Sequence, residues 1–200
     1  MKLSRWLFLT LALALFVGTP AAFATVFNYE AIMDGPSESP PNASPGTGFG
    51  TVDYNDVTHM LALNASFSGL LGTTTASHIH APTTLPFTST AGVATTTPSF
   101  AGFPLGVTSG SFSNTIDLTQ ASSWNPSYVT ANGGTTAGAE AAFASSMATG
   151  RSYWNIHTSV VGGGEIRGFL IPVPTPEPTA CVLFALGAIG LCGTVGRRRS

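Results

Sequence analysis

Apolar and polar residues alternate over short stretches in the middle of the chain, which is the pattern of half-buried β-strands. The clearest stretch runs from His59 to Ser68. Its apolar side chains fall on one face by period two: Leu61, Leu63, Ala65 and Phe67. Similar stretches predict six further strands, at Val26 to Met33, Gly48 to Tyr54, Ser77 to Ala81, Ser109 to Ile116, Ser152 to Thr158 and Glu165 to Ile171.

Two stretches depart from this alternation. Thr136 to Ala148 is rich in alanine and ends before Gly150, so it is predicted to be a helix. The segment from Thr83 to Gly106 is rich in Thr, Pro and Gly and is predicted to be a long surface excursion. Many strands with one helix between them predict an all-β fold, a Greek-key β-sandwich with one short helix on a crossover.

The first 24 residues have the pattern of a secretory signal peptide. A basic start is followed by a 12-residue apolar run from Trp6 to Val17, which is too short to cross a bilayer. Small residues at Ala22 and Ala24 suit a signal peptidase, and we expect cleavage after Ala24. An uncleaved N-terminal anchor is the alternative.

The C-terminal end carries a second apolar segment. Residues 172–178 form a proline-rich linker, and residues 179–196 are uncharged and just long enough for a membrane helix. Residues 197–200 begin with three arginines, Arg197, Arg198 and Arg199, which favour the cytoplasmic side. The domain at 25–171 is therefore predicted to lie outside the inner membrane.

The order of these C-terminal parts resembles the PEP-CTERM sorting signal. Pro176, Glu177 and Pro178 come first, then one apolar helix, then the terminal arginine cluster. The resemblance implies a Gram-negative host that makes extracellular polysaccharide. It also implies cleavage near Pro-Glu-Pro by an exosortase, after which the domain is released to the periplasm, cell surface or extracellular matrix. A tail anchor that is never cut is the alternative.

The charge of the segment between these ends excludes some partners. From Thr25 to Thr175 there are eight carboxylates, two arginines and no lysine, which gives a net charge of −6. Such a domain cannot neutralise a row of phosphates, so nucleic acid is not an expected partner. Both cysteines, Cys181 and Cys192, lie in the C-terminal apolar segment, so the domain has no disulfide and depends on its core.

Three blocks in the middle of the chain resemble the CHRD domain, which is named for chordin. The first runs from Ala31 to Pro41 and is followed by Gly46-Thr47-Gly48; the second is Ser77-His78-Ile79-His80. The third runs from Gly150 to Thr158 and continues into Gly163-Gly164-Glu165-Ile166-Arg167-Gly168. The resemblance spans Val26 to Ile171. It implies growth-factor binding in chordin-like animal proteins but no common activity for bacterial copies.

Three histidines are candidate metal ligands. His78 and His80 are two apart, so on a strand they point to the same side, and His157 lies on another predicted strand. If those strands are neighbours, three imidazoles converge in a set that suits zinc or copper, with Glu165 or water completing it. Alternatively, the histidines are partly buried structural residues. His59 starts an amphipathic strand and is treated as structural.

A buried polar network is predicted for Glu38, Glu165 and Arg167. Arg167 is one of two arginines in the domain, and its planar guanidinium matches a carboxylate. Buried charges are expected to be paired. Solvated loop charges are the alternative interpretation.

No enzyme class is indicated by these residues, and no catalytic residue is assigned. There is no Gly-x-Ser-x-Gly elbow, no cysteine nucleophile in the domain and no phosphate-binding glycine loop before a helix. The leading hypothesis is a non-enzymatic binding or matrix protein without a cofactor, with exopolysaccharide or matrix proteins as partners. The competing hypothesis is a zinc or copper domain with a superoxide dismutase-like or other metal-dependent activity.

Overall fold

The computed structural model describes residues 25–174. Outside this range lie the predicted signal peptide with Ala22 and Ala24, the Pro-Glu-Pro motif, the apolar segment at 179–196 and the terminal arginines. No helix among the described residues is both long and apolar enough to span a bilayer. The strands are β1 (Val26–Asp34), β2 (Thr47–Asn55), β3 (Met60–Ser68), β4 (Thr74–His80), β5 (Gly110–Asp117), β6 (Tyr153–Thr158), β7 (Ile166–Phe169) and β8 (Ile171–Val173). The α-helices are α1 (Pro126–Ala131) and α2 (Thr136–Ala148).

The eight strands form one antiparallel sheet. Its order is β4-β6-β7-β1-β2-β3-β5, with β8 paired to β1. The expectation of a mostly β domain is confirmed, and the seven predicted strands agree with observed ones to within a few residues. Hydrogen bonds join all the strands into a single curled sheet, so the fold is sandwich-like, and the Greek-key connectivity stays a prediction.

The sheet curls where one stretch of chain changes its pairing partner. β7 pairs with β6, and after Leu170 the chain continues as β8, which pairs with β1. β7 itself meets β1 at one position only, Asp34 opposite Arg167. Strands that switch partners at a bend form the corners of sandwich-like folds. The sequence places Pro172 and Val173 in the linker, whereas the structure places them in the sheet as part of β8.

The two halves of the curled sheet enclose the core. Trp154 of β6 is fully buried, and its indole packs edge-on against Phe112 of β5, with ring centroids 6.4 Å apart. The same indole lies so close to β2 that a Cβ at Gly50 would come within 2.9 Å of it. A large aromatic side chain thus fills the space between the halves.

The helix α2 has the bounds that the sequence predicts, and it covers one end of the core with Phe143 and Met147. Thr135 caps it by accepting a hydrogen bond from the backbone N–H of Gly138. The shorter helix α1 was not predicted. Its signal is local: Asn125 accepts a hydrogen bond from the N–H of Ser127, and Pro126 occupies the first helical position.

The excursion from Thr83 to Gly106 contains no helix or strand, as predicted, but only part of it lies on the surface. Its N–H groups at Ala94 and Phe100 donate to carbonyl oxygens of β4, at Ile79 and Ser77. Ala94, Phe100 and Phe103 are buried. The excursion therefore covers the edge strand β4, which would otherwise present unpaired backbone groups.

We predict that Gly168→Ala destabilises the fold by about 2–3 kcal/mol, as overpacking typically does. A Cβ at Gly168 would lie 2.2 Å from the carbonyl oxygen of Ile32, so β7 could no longer approach β1. Urea unfolding checks this. Gly92→Ala is the matched control, because a Cβ there meets nothing within 4 Å. Equal stabilities of the two variants would contradict the close crossing.

Candidate metal centre

One face of the three strands β4, β6 and β7 is polar. Side chains alternate along β4 and β6, so that Ile79, Trp154 and Ile156 enter the core while their neighbours point the other way. In the register of the sheet, His78 lies opposite Asn155 and His80 lies opposite Tyr153. The outward residues of this sheet face are His78, His80, Tyr153, Asn155, His157 and Arg167, which we call the histidine face.

His78, His80 and His157 come together on this face. One ring nitrogen from each lies within 4.8 Å of the others. The Nε2 atoms of His78 and His157 are 3.0 Å apart, and the centroids of their rings are 4.7 Å apart. The structure therefore brings together the three histidines that the sequence proposes as ligands, although Glu165 does not belong to the cluster.

The Nδ1 atom of each of these histidines contacts a backbone carbonyl oxygen. His78 is 2.8 Å from Pro98 O, His80 is 2.8 Å from Ala91 O, and His157 is 2.9 Å from Gly162 O. A carbonyl oxygen only accepts, so Nδ1 must carry the proton and donate. In a neutral ring this leaves Nε2 with a free lone pair, as in histidines that bind metals.

Burial keeps the three rings neutral. Desolvation lowers the pKa of His78 to about 4 and that of His80 to about 3, and it also lowers the pKa of His157. Near neutral pH no proton is therefore available to lie between the Nε2 atoms of His78 and His157. The Nε2 atom of His80 is buried and has no hydrogen-bond partner in the described part of the chain. Neutral imidazoles with inward lone pairs are suited to bind a cation.

Tyr153 fixes the position of His80. The two rings stack with centroids 4.7 Å apart and an angle of 6° between their planes. The Tyr153 hydroxyl lies 3.4 Å from Ala91 O, which also accepts from His80 Nδ1. The ring and its acceptor are thus held by the same tyrosine.

The comparison with protein families gives one match. The model of the CHRD domain matches residues 29–170. The chain belongs to the CHRD domain family. No curated protein and no solved structure matches the chain. Membership indicates a secreted or extracellular module.

Glu38 and Arg167 form a buried ion pair beside the histidines of this CHRD domain. Arg167 Nε is 3.9 Å from Glu38 Oε2, and each side chain is 5% exposed. Arg167 Nε also donates to Ser37 O, and its guanidinium carbon lies 4.8 Å from the centre of the Tyr153 ring. Burial raises the pKa of Glu38 to about 7, although the positive charge of Arg167 opposes this rise.

Glu165, which the sequence groups with this pair, lies apart from it. Its carboxylate is fully buried and accepts hydrogen bonds from Ser44 Oγ and Thr158 Oγ1, both at 2.6 Å. The backbone N–H groups of Leu71 and Gly72 also donate to it, at 2.5 and 3.1 Å. Burial alone raises the pKa of Glu165, but these hydrogen bonds together hold it below its ordinary value. Glu165 thus joins the loop at Ser44 and the loop at Leu71 and Gly72 to the end of β6 through uncharged hydrogen-bond donors.

His59 also lies apart from the other histidines. Its Nδ1 is 2.9 Å from Glu140 Oε1, and the Tyr54 hydroxyl donates to the same oxygen at 2.8 Å. Glu140 is on α2, so these contacts join the helix to β2 and to the turn before β3. This placement agrees with the structural role that the sequence suggests for His59.

Sequence reasoning missed Tyr153 and Asn155. Both are spaced by two from one another and from His157 in β6, so the period-two rule that groups His78 with His80 also puts them on the face of His157. The missing information was the register, because the sequence alone does not say that Asn155 lies between His78 and Arg167.

We predict that Glu38→Gln becomes more stable relative to the unmodified protein as the pH rises from 4.5 to 7. The pKa of Glu38 is raised to about 7 in the fold, from 4.5. In that window the folded state keeps a proton that the unfolded state has lost, so the stability contributed by Glu38 falls as pH rises. Gln cannot titrate, and the difference should grow by up to about 3 kcal/mol.

Denaturant unfolding of both proteins at several pH values measures this difference. Both proteins contain the same histidines, whose contribution to stability changes with pH in the opposite direction to that of Glu38. This contribution cancels in the difference between the two proteins. The lowered pKa values of the histidines mean that stability is lost as pH falls below about 6.5. A difference in stability that does not change with pH would contradict the raised pKa of Glu38.

Proposed function

We propose that this CHRD domain is an extracytoplasmic metal-binding module. His78, His80 and His157 bind one zinc or copper ion through their Nε2 atoms. The observation that carries the proposal is the orientation of the rings: each Nδ1 contacts a carbonyl oxygen, and the Nε2 atoms of His78 and His157 face each other at 3.0 Å.

The spacing of the cluster suits such an ion. Zinc binds imidazole nitrogen at about 2.0–2.1 Å, so two ligands of a tetrahedral site are separated by roughly 3.3 Å. The Nε2 atoms of His78 and His157 are 3.0 Å apart, and one ring nitrogen from each of the three histidines lies within 4.8 Å of the others. Three protein ligands leave a fourth position open.

The alternative, a purely structural cluster, accounts less well for the same contacts. A structural histidine in a core normally uses both ring nitrogens in hydrogen bonds. Here the buried Nε2 of His80 has no partner among the described residues, and two lone pairs face each other across 3.0 Å. A cation relieves both features at once. The net charge of −6 from Thr25 to Thr175 favours its approach, although only weakly at physiological salt.

We infer a binding or structural role rather than catalysis. The cluster gathers three histidines, and the fourth histidine of the chain, His59, contacts Glu140. A dinuclear centre of the superoxide dismutase type needs more ligands than these. The proposal therefore assigns the ion a role in binding, with exopolysaccharide or another matrix component as the partner. Nucleic acid is not a proposed partner.

We further propose that the domain reaches the cell envelope by way of its two terminal segments. Signal peptidase cleaves after Ala24, and an exosortase cleaves near Pro176, Glu177 and Pro178. Residues 179–196 hold the chain in the inner membrane only until the exosortase cleaves it. The position of β8 supports this order, because its last residue, Val173, precedes the cleavage region. Removing the tail leaves the sheet complete.

We predict that the full-length chain, purified in detergent, binds one zinc or copper ion. His80→Ala and His157→Ala should each weaken binding by at least about 100-fold, since loss even of an outer-shell partner costs 10–100-fold. Metal analysis with calorimetric titration measures this, and the melting temperature should rise with metal. His59→Ala is the control and should bind as the unmodified chain does. Absence of metal uptake, with a melting temperature unchanged by chelator, would refute the proposal.

We predict that the protein isolated from its native host begins at Thr25 and lacks the peptides that contain Cys181 and Cys192. Mass spectrometry measures both ends. Glu177→Ala should retain the C-terminal peptides, because the motif is no longer recognised, whereas Pro174→Ala, outside the motif, should be processed normally. Recovery of one intact polypeptide with both apolar segments would show that neither cleavage occurs.

A further inference from the structure

Asn155 occupies the centre of the histidine face. It lies on the middle strand of three, opposite His78 of β4 on one side and Arg167 of β7 on the other. Its side chain is buried, with 2% of the residue exposed. A buried amide in this position needs partners for both its nitrogen and its oxygen.

Only the nitrogen of this amide is satisfied. Asn155 Nδ2 donates to Glu38 Oε1 at 3.0 Å, and this contact orients the amide. Asn155 Oδ1 is buried and has no hydrogen-bond partner within residues 25–174. Leaving a buried carbonyl oxygen without a donor is unfavourable.

The surrounding loop holds the amide in place. A Cβ at Gly164 would lie 2.6 Å from both Asn155 Oδ1 and Nδ2, and 2.7 Å from Glu38 Oε1. Gly164 has a φ of +126°, which a residue with a side chain rarely adopts. The glycine therefore permits the loop to press directly on the amide and the carboxylate. A side chain at this position would collide with the amide.

Within residues 25–174, two buried acceptors on the histidine face thus lack partners: His80 Nε2 and Asn155 Oδ1. The two atoms require different kinds of partner. A metal ion satisfies the imidazole nitrogen, whereas an amide oxygen beside a zinc or copper site is best satisfied by a hydrogen donor. Water bound to a metal ion is such a donor, because the ion polarises its O–H bonds.

We propose that Asn155 is a positioning residue of the metal centre, whose Oδ1 accepts a hydrogen bond from a water molecule in the fourth coordination position. This inference rests on the proposed function, since it requires the ion. It assigns the centre a selectivity: the fourth position favours ligands that carry a proton over anions that carry none. A ligand without a proton would place its lone pairs against those of the amide oxygen.

The test uses the full-length chain in detergent, loaded with Co²⁺ as a spectroscopic substitute and titrated with azide. Azide displaces water but has no proton to donate. Asn155→Leu keeps the approximate volume and removes the acceptor, so azide should bind about fivefold more tightly, the value of one hydrogen bond. The Co²⁺ stoichiometry should stay the same. Asn155→Val gives the same comparison if the leucine variant does not fold.

Ser152→Ala is the matched control. Ser152 Oγ is also buried without a partner in the described chain, but it precedes β6 by one residue and so lies on the opposite side from Tyr153 and Asn155. Its loss should leave azide affinity unchanged. Equal azide affinity in the unmodified, leucine and valine proteins, with Co²⁺ still bound, would overturn only the role of Asn155. Failure of the unmodified chain to bind Co²⁺ would overturn this role and the metal site together.

A third outcome also counts against the inference. If Asn155→Leu binds Co²⁺ much more weakly and its visible spectrum changes before azide is added, Asn155 Oδ1 is itself a ligand. The amide would then replace the water molecule rather than position it.

Discussion

The close crossing of β7 over β1 is the constraint on which the rest of this domain depends. The crossing is possible because residue 168 has no side chain, and a Cβ there would collide with the backbone at Ile32. It lets one stretch of chain pair first with β6 and then with β1. The sheet consequently curls, and the indole of Trp154 packs in the core between its two halves. The other face of β4, β6 and β7 carries the polar side chains of the histidine face.

The chemistry of the histidine face follows from the loops that surround it. Three carbonyl oxygens, from Pro98, Ala91 and Gly162, set the tautomers of the three imidazoles. Two of these carbonyls, those of Pro98 and Ala91, belong to the excursion between Thr83 and Gly106, so this irregular segment has two structural roles. It covers the edge of β4 and at the same time orients the rings of His78 and His80.

The sequence predicted the elements of this domain better than their arrangement. Period-two alternation located the strands, and the alanine-rich segment gave the bounds of α2, because both signals are local. The partner switch between β7 and β8 was not predictable, since it depends on contacts between residues more than 130 positions apart, such as Gly168 and Ile32. For the same reason, the sequence grouped Glu165 with Glu38 and Arg167, although the structure places it elsewhere. Composition marked all three as candidates for burial, but only the fold shows that backbone N–H groups and hydroxyls satisfy Glu165 without an arginine.

The pairing of β8 with β1 also brings the two ends of the described chain to the same side of the domain. Val173, the last paired residue, lies opposite Asn28, near the start of the first strand, so the described chain enters and leaves at the same pole. Arg167 lies opposite Asp34, six residues further along β1, which corresponds to about 20 Å at the rise of an extended strand. A tether attached at either end of the described chain would therefore hold the molecule at this pole, with the Arg167 end of β1 at the opposite pole.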